Sequence, residues 1–220
     1  MASRIESLLN DSGLLSSELA PLIYHSTSDT ELLSRLLSEG INPNMTLSNG
    51  ISPLMYAILK TRFASALLLI EHGADPHTTD INGRNVIHLA SVYNIVESID
   101  FAFQQGVSPH LVDKNAQSPL HLACLNNSMD AAVFLLRLGI DPSTLDTFGM
   151  SPYLYALENR NITLMNLLPI VNYDMMKTLE ERKTRLTTML PKSASSTTKK
   201  GTKGKKKGTK GKKKATKKKK

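Results

Sequence analysis

Six histidines and one cysteine are the residues of this 220-residue chain that could bind a metal or attack a substrate. His77 and His110 are 33 residues apart at equivalent loop positions, so they could lie near each other. The same position on either side holds Asn44 and Ser143, however, and a zinc site needs three or four ligands. We therefore predict no metal site.

Motifs for catalysis or cofactor binding are missing from the sequence. There is no Gly-rich phosphate loop after a strand, no Cys-x-x-Cys and no Gly-x-Ser-x-Gly, and the carboxylates form no confined pair. Cys124 is the single cysteine, and its helical context indicates a buried thiol of low reactivity. We predict an intracellular protein that is not an enzyme and has no catalytic residue or cofactor.

A period of 33 residues organises most of the chain. Residues 118–124 read Ser-Pro-Leu-His-Leu-Ala-Cys, and similar segments lie at offsets of 33, at 52–58, 85–91 and 151–157. Four glycines keep the same interval: Gly40, Gly73, Gly106 and Gly139. Two markers with one period indicate stacked structural units, each of which buries its apolar face against the next.

Each unit predicts two helices. The first begins after a residue whose side chain can cap it, followed in three of four units by proline. The capping residues are Ser52, Asn85, Ser118 and Ser151. Inside this two-turn helix a small residue lets neighbours pack closely: Ala57, Ala90, Ala123 and Ala156. The second helix has apolar residues at i, i+3 and i+4 and ends at the repeated glycine, where a left-handed backbone is expected.

These units resemble ankyrin repeats, which have a 33-residue period and the marker Thr-Pro-Leu-His-x-Ala. Serine replaces the threonine here, and histidine remains only at His88 and His121, with Met55 and Leu154 elsewhere. The resemblance implies an all-α solenoid of helix-turn-helix units with short hairpin tips. It also implies that the two histidines hydrogen-bond to loop backbone.

Domain limits follow from where the repeat begins and ends. We predict an N-terminal lead-in at 1–13 and a domain of about five units at 14–175, whose first and last units are atypical. A capping helix at 176–190 and a disordered lysine-rich tail at 191–220 follow. The first unit should hold helices near 18–25 and at 30–39. No segment is apolar over the length of a signal peptide or a membrane span, which predicts a soluble protein.

Binding of a protein partner is the function that the resemblance implies. Ankyrin stacks usually bind through their turn tips and the exposed face of the first helices, which form a continuous concave ledge. Mapping those positions predicts a partner-binding surface in which most residues are apolar: Ile51, Leu59, Ile81, Arg84, Tyr93, Lys114, Leu125, Phe148 and Met150. The alternative is that some of the apolar members pack against adjacent turns.

The C-terminal tail is predicted to bind polyanions. Residues 192–220 contain 15 lysines and no acid, whereas the rest of the chain has 12 Lys+Arg and 19 Asp+Glu (12 − 19 = −7). The lysines that we expect to bind are Lys199, Lys200, Lys205, Lys206, Lys207, Lys212, Lys213 and Lys214. Without arginine or aromatic residues, such binding to RNA or DNA would be independent of sequence and sensitive to salt.

Two hypotheses of function stay open. The first is a monomeric adaptor or scaffold whose tail directs it to the nucleus or tethers it electrostatically, with the nucleus favoured over the cytoplasm. The second is a nucleic-acid or ribonucleoprotein-associated factor that binds mainly through the tail. A third reading of the tail alone is a solubilising segment that folds back loosely on the acidic body.

Overall fold

Helices and turns alternate along the chain in the computed structural model, which describes residue 21 and residues 23–169. Residues 21 and 23–26 are helical. Nine complete helices follow in the described part: α1 Thr30–Ser38, α2 Pro53–Leu59, α3 Phe63–Glu71, α4 Val86–Val92, α5 Val96–Gln104, α6 Pro119–Leu125, α7 Met129–Arg137, α8 Pro152–Glu158 and α9 Ile162–Leu167. No strand is assigned within these residues, and all of them belong to the compact unit Met1–Arg182.

The predicted caps begin the first helix of each unit. The side chain of Ser52 accepts a hydrogen bond from the backbone N–H of Met55 at 3.2 Å. The other three predicted capping residues bond in the same way to the N–H three residues on: Asn85, Ser118 and Ser151. Each bond satisfies a helix-terminal N–H that has no partner within the helix. The predicted starts of these helices are therefore confirmed.

The repeated glycines close the second helices as predicted. Gly40, Gly73, Gly106 and Gly139 have φ angles of 87°, 88°, 83° and 80°. A Cβ at these positions would meet nothing within 4 Å. The left-handed backbone, and not a lack of space, is therefore what favours glycine there.

Each helix pair packs against its neighbours. First helices of successive units contact one another, and each also contacts the second helix of its own unit. The small residues at the centre of these contacts are fully buried: Ala57, Ala90, Ala123 and Ala156. Side chains also bond between units, as where Ser98 Oγ donates to the Ile58 carbonyl at 2.5 Å. The prediction of an all-α solenoid of stacked helix pairs is confirmed.

Short hairpin tips connect the units on the side where the first helices begin. One backbone hydrogen bond joins each tip to the previous one, as from the Ile81 N–H to the Asn49 carbonyl at 3.1 Å. Equivalent bonds follow at Lys114 and Thr147, each 2.9 Å long. The tips therefore form a ladder that fixes the spacing of equivalent side chains along the stack.

Three of the four described tips have glycine at the same left-handed position, and the fourth has Ala116. Its φ is 57°, where Gly50, Gly83 and Gly149 have 79°, 78° and 70°. A left-handed backbone strains alanine by roughly 1 kcal/mol. Glycine would relieve this strain, but the greater conformational entropy of glycine in the unfolded chain offsets part of the gain. We expect Ala116→Gly to raise the free energy of unfolding by about 0.5 kcal/mol in urea titrations of the full chain.

The matched control for this substitution is Ala64→Gly, at an exposed position of α3. It should lower the free energy of unfolding by about 0.5 kcal/mol, since a helical alanine is replaced. Equal losses in both variants would show that the backbone at Ala116 is not strained.

Several predicted segments lie outside the described residues. These are the lead-in at 1–13, the start of the first helix near 18–25, the capping helix at 176–190 and the tail at 191–220. In the first unit, the predicted helix at 30–39 is observed as α1.

Candidate interaction surface

His88 and His121 are fully buried and act as structural links between units. The Asn85 N–H lies 3.3 Å from His88 Nδ1, and His88 Nε2 lies 3.2 Å from the Gln117 carbonyl in the next unit. His121 repeats this arrangement, with Nε2 at 3.2 Å from the Met150 carbonyl. Nε2 must donate in these contacts because a carbonyl only accepts. The role that the family resemblance implied for both histidines is confirmed.

Burial also sets the protonation of these two histidines. It lowers the pKa of His88 to about 4, and hydrogen bonding to the Gln117 carbonyl opposes the shift only in part. Burial lowers the pKa of His121 as well. Both imidazoles are therefore neutral at pH 7 and hold loops in place.

The remaining candidates for chemistry form no metal site within the described residues. His77 and His110 are exposed, and the described residues contain no group of three or more His, Cys, Asp or Glu that could hold a metal. Asn44, at the equivalent position, donates to the Gly73 carbonyl at 2.9 Å. Cys124 is buried, and burial raises the pKa of its thiol to about 12. This thiol is protonated at neutral pH and is a poor nucleophile.

At the tips, the predicted residues differ in exposure. Ile81 is 56% exposed and Lys114 is also exposed, whereas Ile51 and Phe148 are half-buried. The Ile51 carbonyl accepts a hydrogen bond from the Tyr24 hydroxyl of the preceding unit. Two of the predicted tip residues are therefore exposed, and two are half-buried.

Arg84 has a structural contact that the sequence prediction did not include. Its Nε donates to Asp113 Oδ2 of the next tip at 3.0 Å. Gln117, 33 residues on, donates to Asp146 Oδ2 at 3.1 Å in the same way. Arg84 and Gln117, each directly before a cap, thus link successive tips, and Arg84 is only partly available to a partner.

The prediction that Met150 lines the surface is wrong. Its side chain has no exposed area. Met150 occupies the position of Arg84 and Gln117, where the side chain turns toward the neighbouring unit. The Met150 side chain packs into the core cluster, whereas Ile51, at the equivalent position of the first described tip, is half-buried.

The ends of the first helices form the other part of the surface. Tyr93 is 65% exposed, Leu125 is 36% exposed and Leu59 is half-buried. Asn159 Nδ2 donates to the Leu125 carbonyl at 2.8 Å, which places the end of α8 beside the end of α6. Equivalent residues of successive units therefore lie side by side.

We call the eight remaining predicted residues the ledge: Ile51, Leu59, Ile81, Arg84, Tyr93, Lys114, Leu125 and Phe148. Sequence reasoning missed Val112 and Leu145 near the tips, which are 48% and 40% exposed. Their 33-residue spacing was the signal that could have found them. It also missed Tyr56, whose half-buried ring lies near Lys60 and Arg62 at the end of α2.

A helix needs about 20 apolar residues to cross a membrane, and the described part of the chain contains no such helix.

Comparison with known proteins assigns the repeat. No curated protein matches the chain. The family model for ankyrin repeats in three copies matches residues 3–80, 22–107 and 87–178. Together with the stacked helix pairs and their tips, these matches show that the chain belongs to the ankyrin repeat family, whose repeats are protein–protein interaction modules.

Proposed function

We propose that this protein is a non-enzymatic adaptor that binds a protein partner on the ledge. The observation that carries the proposal is the exposure of Tyr93, Ile81 and Leu125 on adjacent units of a stack whose core is otherwise closed. Exposed aromatic and aliphatic side chains on neighbouring units suit the centre of a protein interface. Tyr93 is the most exposed aromatic residue of the described part, so a partner that covers it would remove this ring from water.

Stiffness of the ledge supports this proposal. Asn94 Oδ1 accepts from the Ala131 N–H at 2.9 Å, and Ser128 Oγ donates to the Val92 carbonyl at 3.1 Å. These bonds hold the ends of successive helix pairs on either side of Tyr93. Because a preorganised surface loses little conformational entropy on binding, it binds more tightly for the same contact area.

A photo-crosslinking experiment tests the ledge in the full chain. p-Benzoylphenylalanine is placed at Tyr93 or Ile81, and at Leu67 or Phe103 as matched controls. The control positions are 45% and 43% exposed on the second helices α3 and α5. We expect one protein to be crosslinked from both ledge positions and from neither control. Crosslinking from the controls alone, or from no position, would contradict the proposal.

Tyr93→Ala provides the quantitative arm of the same experiment. It should reduce recovery of the crosslinked protein from position 81 by about tenfold, as expected for an interface anchor. The free energy of unfolding should change by less than about 0.5 kcal/mol, because the side chain lies mainly in solvent. A large loss of stability would mean that Tyr93 is a packing residue.

For the tail, we propose a role in nuclear targeting or electrostatic tethering inside the cell. The 15 lysines with no acid at 192–220 also favour the second candidate, a factor that binds RNA or DNA without sequence specificity. Replacing the eight named tail lysines by glutamine in the full chain separates the two. An adaptor keeps its crosslink from Tyr93 and loses nuclear retention, whereas a nucleic-acid factor loses RNA association and the crosslink together.

A further inference from the structure

Charge is divided between the two sides of the repeat units. The tips and the turns after the first helices carry five cations: Lys60, Arg62, Arg84, Lys114 and Arg160. Four acids lie on the same side, which are Glu158 at the end of α8, Asp80, and the buried tip carboxylates Asp113 and Asp146, so its net charge is +1 (5 − 4). The second helices α3, α5 and α7 and the loops after them carry acids: Glu71, Asp75, Glu97, Asp100, Asp130 and Asp141. Arg137 is the cation within these three helices and the loops after them. The ledge side is therefore the more positive side of a unit whose other side is acidic.

Two of the ledge-side cations have no carboxylate partner. Lys60 and Lys114 are both exposed, and the ion pair found between described residues is Arg84–Asp113 at 3.0 Å. Arg84 is thus neutralised by a buried carboxylate, while the two lysines are not. Unpaired charge at an interaction surface selects a partner of opposite sign and speeds its association.

An aromatic corner holds the first of these lysines. Lys60 Nζ lies 5.7 Å and Arg62 Cζ 5.8 Å from the centroid of the Tyr56 ring. Arg62 Nη1 also donates to Thr27 Oγ1 at 2.7 Å, which fixes its position. Two cations therefore gather at the end of α2 beside a half-buried tyrosine.

Along the stack the character of the helix ends changes. After the cationic corner on α2 come exposed Tyr93 at the end of α4 and Leu125 at the end of α6, and Glu158 ends α8. Packed helices lie 8–10 Å apart, so the ends of α2 and α6 are roughly 20 Å apart. An extended segment of about six residues, at roughly 3.3 Å each, covers this distance.

We infer that the ledge, together with Lys60 beside it, binds an extended acidic segment of a partner protein. The carboxylates of this segment lie against Lys60 and Lys114, and its apolar side chains lie against Tyr93 and Leu125. This inference rests on the proposed function and adds the chemistry of the partner.

A nucleic acid fits the ledge less well than a peptide. Proteins hold a phosphate backbone with several lysines, arginines and N–H donors along its path. The ledge and Lys60 beside it offer two exposed lysines, and Tyr93, Ile81 and Leu125 present exposed side chains around them. Two cations among apolar side chains suit a peptide with both carboxylates and apolar residues, whereas a nucleic acid carries one charge per nucleotide.

Peptide display on the immobilised full chain tests the inference without assuming a sequence. Random twelve-residue peptides are selected on the wild type, on Lys60→Gln/Lys114→Gln and on Arg137→Glu. The two variants lose the same two units of positive charge, on the ledge side and on the opposite side. Peptides that bind the lysine tail are retained by all three proteins and cancel in the comparison.

We expect the peptides lost on Lys60→Gln/Lys114→Gln to be acidic and to contain an aromatic or aliphatic residue. Fluorescence polarisation of the most enriched peptide should show a Kd at least about fivefold weaker for that variant and within about twofold of wild type for Arg137→Glu. Tyr93→Ala should weaken the same peptide.

Three results would overturn the inference, and they differ in what they say of the proposed function. Neutral or basic peptides that depend on Tyr93 would refute the acidic partner and leave the adaptor in place. Binding of a 20-nucleotide RNA that Lys60→Gln/Lys114→Gln weakens as strongly as the peptide would make the ledge a general anion site. No Tyr93-dependent peptide, together with no crosslink from Tyr93, would refute both proposals.

Discussion

Acidification from pH 6.5 to pH 4 is expected to remove about 3 kcal/mol of folding stability through His88 alone. In the folded chain the pKa of His88 is about 4, because the imidazole is buried. In the unfolded chain it returns to about 6.5. Between these two values the unfolded state binds more protons, so the free energy of unfolding falls by roughly 1.4 kcal/mol per pH unit. The contribution is complete above pH 6.5 and is lost as the pH falls toward 4.

His88→Met isolates this effect, since the chain itself has Met55 at the equivalent position. The variant should be less stable at pH 7.5 by about 2 kcal/mol, because Asn85 N–H and the Gln117 carbonyl lose their partner. Its stability should then fall less steeply with acid than that of the wild type. Urea titrations of the full chain at pH 7.5, 6.5, 5.5 and 4.5 measure both terms.

His110→Gln serves as the control for the pH series, because this histidine is exposed in a loop. The urea unfolding curves of this variant should match those of the wild type at every pH. Parallel curves for His88→Met and the wild type would contradict the assignment and would leave His121, whose pKa is also lowered by burial, as the source of any acid lability.

Asp113→Ala is expected to lower the free energy of unfolding by about 3 kcal/mol. Asp113 Oδ1 accepts from the N–H groups of Asn115 at 2.8 Å and Gln117 at 3.0 Å. Asp113 Oδ2 accepts from Arg84 Nε at 3.0 Å. The substitution leaves buried Gln117 with an unpaired N–H and removes a charged partner, and the two losses add to each other.

Asp141→Ala is the matched control for that experiment. Asp141 is exposed in the loop after α7 and accepts from the Ser143 N–H at 2.9 Å, so its loss should hardly change the urea midpoint. Asp113→Asn should fall between the two, since an amide keeps one acceptor. If Asp113→Ala and Asp141→Ala destabilised the chain equally, the tip carboxylate would have no special role.

The sequence predicts the regular part of this fold because each signal acts locally. Ser52 caps the helix that follows it, and Gly73 permits the left-handed backbone that ends one. Both depend on residues within one turn of the chain. The 33-residue period then supplies the contacts between units, since equivalent positions must lie side by side.

Exposure at the tips could not be predicted in the same way. It depends on how far the next unit covers each side chain, as Met150 shows by being buried where Ile51, at the equivalent position, is half-buried. The pairing of Arg84 with Asp113 belongs to the same class, because it joins residues 29 positions apart on different tips. Position within the repeat identifies the candidates, and the neighbouring unit determines which of them a partner can reach.

Uneven burial along the stack has a consequence for how the molecule would open. In α9 only Leu164 is buried, whereas α3, α5 and α7 each bury three residues. Among the described second helices, α9 should therefore open more readily than those beside α4 and α6, which have a neighbouring first helix on each side. Tyr93 and Leu125 lie in this more protected region, so local opening of α9 would leave the central part of the ledge folded.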